Sequence, residues 1–137
     1  MKNYLYVIFG VGIGIGLVPL AIFIQWSVPD WLDHQAELLG ILAFIEEFLK
    51  WGASVVLFYL GTTPLMPVAI ALGFGINEFF SHVVFKETPV YLRLNPIAFH
   101  IFTGIFLWLG TKRNKLWIVA ILIINTLLHW LWNLYFT

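Results

Sequence analysis

The seven residues Ile45-Glu46-Glu47-Phe48-Leu49-Lys50-Trp51 place two adjacent carboxylates and an ammonium in the middle of an apolar run long enough to cross a membrane. On insertion scales each such charge costs roughly 2.5 to 3.5 kcal/mol at the bilayer centre, so the three would cost on the order of 10 kcal/mol if they faced lipid unpaired. They must face protein or water. On a helix Lys50 stands four residues from Glu46 and three from Glu47, so its ammonium can neutralise either carboxylate and one acid is left over. An uncompensated acid inside a membrane is a functional-site hypothesis, which makes polar groups elsewhere in the chain its candidate partners.

Composition agrees with that setting. Of 137 residues, 61% are hydrophobic and 10% charged. A soluble core of this size could not hide so much apolar surface, whereas a helical bundle in lipid needs no polar coat along its flanks. The expectation is an all-α polytopic membrane protein with a single integral membrane domain over residues 1–137. Zero net charge and the lack of a basic patch argue against nucleic acid as a partner. With no Cys there is no disulfide, thiolate nucleophile or Cys-ligated metal.

Outward from the central stretch, polar breaks divide the chain into five transmembrane helices, over about 4–26, 37–60, 65–85, 96–110 and 116–136. The first is too long for a signal-peptide core and is not closed by a small-x-small cleavage site. Its Gly10, Gly12, Gly14 and Gly16 form two overlapping GxxxG pairs that let a neighbouring backbone approach; mid-membrane and following no strand, they do not form a dinucleotide fingerprint. Ser27 to Ala36 is a loop, and Gly61-Thr62-Thr63-Pro64 is a tight helical hairpin. Lys86 to Asn95 is a polar loop with Pro96 in the first turn of the fourth span. The spans from 37 onward read as a four-helix catalytic core, with the N-terminal helix packed outside it through its glycine face. Lys2, Lys112, Arg113 and Lys115 fall on one side against Lys86 and Arg93 on the other, which places the N-terminus in the cytoplasm and the C-terminus outside.

Depth then selects the partners. At ~1.5 Å per residue, Glu46 lies ~14 Å, Glu78 ~10 Å, His100 ~6 Å and His129 ~12 Å below the outer ends of their spans, a shared layer. Within each helix the polar groups form one stripe: Glu78 with His82, His100 with Thr103, and Asn125 with His129 and Asn133. Four stripes at one depth point to a polar functional cavity.

These residues resemble the PrsW-like branch of the type II CAAX protease and bacteriocin-processing superfamily of intramembrane proteases. Glu46-Glu47-Phe48-Leu49-Lys50 looks like the family's EExxK, and Gly73-Phe74-Gly75-Ile76-Asn77-Glu78 looks like its glycine-rich stretch ending in Glu. His100-Ile101-Phe102-Thr103-Gly104 resembles the third motif and His129-Trp130-Leu131-Trp132-Asn133 the terminal HxxxN. The four occur in family order over about 37–137. The resemblance implies an intramembrane endopeptidase in a prokaryotic plasma membrane. EExxK in place of the EExxxR of CAAX-processing relatives points to a membrane-anchored peptide or protein substrate rather than a prenylated one.

Peptide hydrolysis needs an activated water, oxyanion stabilisation and a proton donor for the leaving amine. Glu46 is the candidate general base, with Glu47 held ionised by Lys50. His100 or His82 would orient the water, His129 and Asn133 would stabilise the oxyanion, and Glu78 would support the cluster. This mechanism uses no cofactor. The alternative is a zinc-dependent protease drawing ligands from Glu46, Glu78, His82, His100 and His129, although no HExxH pair is present. A non-catalytic membrane scaffold or peptide-binding protein of the same superfamily is the third reading.

Overall fold

Long apolar stretches shielded from water can satisfy their backbone N–H and C=O groups internally only as helices or a closed barrel, and the polar breaks of this chain lie at helical lengths. A computed structural model describes residues 2–27, 35–85, 90–113 and 115–136. They form five α-helices and, among the described residues, no strand: α1 Lys2–Gln25, α2 Gln35–Tyr59, α3 Met66–Phe85, α4 Val90–Thr111 and α5 Lys115–Phe136. Most of the expected loop Ser27 to Ala36 lies outside the described residues. Three helices contain stretches long and apolar enough to cross a membrane: Tyr4–Gln25, Leu94–Thr111 and Leu116–Tyr135. The apolar part of α3, Met66–Ser81, is shorter. The 25-residue α2 has the length but carries Glu46, Glu47 and Lys50 at its centre. Large side chains such as Leu5, Phe9, Phe23, Ile123 and Leu127 point outward, the arrangement a lipid solvent favours.

The hairpin between α2 and α3 follows from its residues. Gly61 adopts φ +76°, the left-handed conformation that a glycine accepts without penalty. There its N–H bonds to the Phe58 carbonyl at 3.1 Å while the N–H of Thr62 bonds to that of Leu57 at 3.2 Å. This is a Schellman ending. Thr63 and Pro64 then supply a cap and a first-turn proline for the next helix, the Leu65 N–H reaching Thr63 Oγ1 at 3.4 Å.

The chain departs from the sequence reading at α4. The helix starts at Val90, inside the expected loop Lys86 to Asn95, and runs through Pro96. Proline removes only the bond that residue 96 would give the carbonyl of Leu92, a loss near the helix start that leaves the remaining turns intact. His100 consequently stands ten residues, ~15 Å, into its helix rather than ~6 Å.

Packing follows small residues. α3 lies between α1 and α4, while α2 packs chiefly on α5 despite its short link to α3. Trp51 Nε1–H donates to the Ile118 carbonyl across the α2–α5 seam at 3.0 Å. At the α1–α3 seam Gly10 faces Met66 and Ala69, Gly14 lies against the Ile70 carbonyl, and Gly73 lies against the Val11 carbonyl. Gly12 and Gly16 face open space, so one of the two GxxxG pairs makes the seam. α1 is not a helix set apart from a four-helix core. It contacts α2 as well as α3, and it forms part of the wall of the site.

Candidate functional site

Helical spacing and depth bring the acids and imidazoles together. From α2, Glu47 and Lys50 are one turn apart and buried, with Lys50 Nζ 2.5 Å from Glu47 Oε1. From α4, His100 is 1% exposed and its Nδ1 lies 2.9 Å from the same ammonium. From α3, Glu78 Oε2 is 2.6 Å from His100 Nε2. From α5, His129 is buried with Nδ1 2.8 Å from Glu47 Oε1, and its Nε2 stands 3.5 Å from Glu46 Oε2. Of these groups, Glu46 and Glu78 line a cavity of about 260 Å³ together with Val18, Ala21, Gln25 and Phe74.

Proton positions follow from the inventory of donors. An ammonium has three N–H groups and no lone pair, so Lys50 donates to both Glu47 and His100. His100 Nδ1 is then an acceptor, its ring proton sits on Nε2, and it donates to Glu78. Both nitrogens of His100 are committed. Glu47 Oε1 already accepts from Lys50, and it accepts again from Nδ1–H of His129. His129 Nε2 then faces the carboxylate of Glu46, and in the neutral ring it presents a lone pair there. The two atoms stand 3.5 Å apart, long for a direct hydrogen bond, and a water beside them can bond to both. The Glu47–His129 pair has the logic of a carboxylate–imidazole dyad, in which the acid fixes the tautomer that offers a basic nitrogen.

The second oxygen of Glu46 accepts from Gln25 Nε2 at 3.1 Å. Sequence reasoning missed Gln25, which ends an apolar helix and belongs to no stripe. Its one signal is that it is the only carboxamide within the first apolar run. Asn133 follows His129 by one turn on α5 and is half-buried. Asn125, on the same stripe, is spent on structure: its amide donates to the Thr103 carbonyl at 2.9 Å and ties α5 to α4. The side chain of His82 lies outside the described residues.

Aromatic rings set the imidazoles in place. Phe99 stacks on Trp132 at 4.9 Å and meets the His129 ring at 5.2 Å, and Phe74 meets the His100 ring at 5.2 Å. Phe74 also lies under the Lys50 ammonium, 5.0 Å from its centroid. For a cation, Glu46, His100 and His129 offer ligand atoms within 4.8 Å of one another. His100 would have to give up Glu78 or Lys50 to ligate it, and the Lys50 ammonium would remain close to the ion. No protein-family model, no curated protein and no solved structure matches the chain.

Proposed function

We propose that the chain is a glutamate-type intramembrane endopeptidase, and the observation that carries this reading is that Glu46 Oε2 and His129 Nε2 face each other 3.5 Å apart beside a cavity. A water beside them donates one proton to each. Glu46 takes one proton as the oxygen attacks the substrate carbonyl carbon, while hydrogen bonding to His129 Nε2 directs the attacking lone pair. Negative charge then develops on the carbonyl oxygen, for which the Asn133 amide, one turn from His129, is the proposed donor. Collapse of the tetrahedral intermediate breaks the C–N bond, and Glu46 returns its proton to the leaving nitrogen. His129 replaces His100 as the water-orienting residue because both nitrogens of His100 are already bonded.

In this reading all five helices span the membrane, the N-terminus is cytoplasmic, and cleavage falls toward the extracytoplasmic side, in keeping with the shared depth of the site and the cationic bias of the α4–α5 turn. The substrate is a membrane-anchored polypeptide that unwinds locally, since a helix hides its carbonyls in backbone hydrogen bonds. The gathering of Glu46, Glu47, Lys50, Glu78, His100 and His129 at one place supports membership of the PrsW-like protease branch. The test is hydrolysis of a membrane-anchored reporter peptide by purified protein in vesicles. Glu46→Gln should lower turnover by roughly 10² to 10⁴-fold while melting at the wild-type temperature. Unchanged turnover would remove Glu46 from the mechanism.

The grouping of Glu46, His100 and His129 favours zinc as the second reading. Loss of wild-type turnover on chelation, restored by zinc, would establish it in place of the glutamate mechanism. Specific peptide binding with no hydrolysis by wild type would instead support the scaffold reading.

A further inference from the structure

A second concavity lies at the opposite end of α4 from Val90, where α4 turns into α5. It has a volume of about 450 Å³ and is walled by Phe106, Leu109, Trp117, Ile121 and Ile124. Its floor is open because Gly110 has no side chain over Ile121; a Cβ at that position would come within 2.6 Å of Ile121 Cδ1. Lys112 and Arg113 stand exposed at the mouth. The Lys112 ammonium is held over the Trp108 ring, 3.8 Å from its centroid. Among the described residues neither cation pairs with a carboxylate, so the groove combines an apolar channel with two uncompensated positive charges at one end.

We propose that this groove binds one anionic phospholipid, with the headgroup phosphate between Lys112 and Arg113 and an acyl chain lying along Leu109, Trp117 and Ile124. Charge complementarity selects the occupant. A zwitterionic lipid would bring its own cation to a site that already holds two, and a soluble anion would leave the apolar channel unfilled. The apolar walls continue from the membrane-crossing stretches of α4 and α5, which brings the acyl chain to the groove from the surrounding leaflet. Attraction of basic residues at the end of a span to anionic headgroups is the physical basis.

Native mass spectrometry of the full chain in detergent tests this with phosphatidylglycerol and phosphatidylcholine of identical acyl chains. The wild type should form a one-to-one complex with phosphatidylglycerol at a Kd at least tenfold below that for phosphatidylcholine. At about five-fold per cation, Lys112→Gln with Arg113→Gln should weaken phosphatidylglycerol roughly thirty-fold and leave phosphatidylcholine unchanged. Ile124→Trp, which fills the channel but keeps both charges, should weaken it at least tenfold; should that variant not fold, Leu109→Trp fills the groove from the other wall. Inorganic phosphate at millimolar concentration should not displace the lipid. Equal binding of the two lipids, insensitivity to the charge variants or to the channel-filling variant, or displacement by phosphate alone would each overturn the proposal.

Discussion

At the scale of single residues, the two adjacent glutamates differ because their partners differ. Glu47 accepts from Lys50 and from His129 in a buried site, whereas Glu46 has Gln25 on one oxygen and the cavity beside it. Glu47→Gln should therefore destabilise rather than merely inactivate, since it leaves the Lys50 ammonium buried without its counter-charge, a loss of ~3 to 5 kcal/mol. Adding Lys50→Met should recover much of that stability without restoring turnover. Melting in detergent by circular dichroism reads both effects, and a Glu47→Gln variant as stable as wild type would contradict the assignment. The Glu47–Lys50 pairing is legible in the sequence, because three residues on a helix leave few alternatives. The division of work between His100 and His129 is not, since it depends on which nitrogen faces which neighbour across helices.

At the scale of elements, the α1–α3 seam explains why glycines recur in the first helix but are not equivalent. Gly14 lies against the Ile70 carbonyl, so a Cβ there pushes two helices apart, whereas Gly12 meets nothing within 4 Å. Gly14→Ala should cost about 1 to 3 kcal/mol, as overpacking does. Gly12→Ala should be neutral or slightly stabilising through helix propensity. Thermal melts of the two variants side by side check this, and equal melting temperatures would contradict the packing. The GxxxG spacing announces close approach, but it cannot name the partner helix or tell one pair from the other. The start of α4 is hidden in the sequence because Pro96 suits a first turn so well; only the continuation of the helix back to Val90 shows that the proline lies inside it.

At the scale of the whole molecule, orientation can be tested directly because the chain has no Cys. With Cys introduced at Asn114 or at Asp33, an impermeant thiol reagent applied to intact cells should label position 33 and spare 114, as the cationic bias requires. The reverse pattern would invert the proposed topology and move the site to the cytoplasmic half. Gln25 is the last residue of α1, yet it bonds to Glu46, which lies eleven residues into α2, so the C-terminal end of α1 stands level with the site. The apolar stretch Tyr4–Gln25 has 22 residues, ~33 Å of helix, about the thickness of the hydrocarbon layer and no more. With α1 spanning the bilayer as proposed, the lipid surface around it would lie at the height of Glu46, and bilayer thickness would set how far the site lies from bulk water. Turnover in vesicles should fall several-fold as acyl chains lengthen beyond that match, because hydrophobic mismatch draws Gln25 and its partner below the headgroups. A protein indifferent to chain length would instead carry its own water path from the far end of α2.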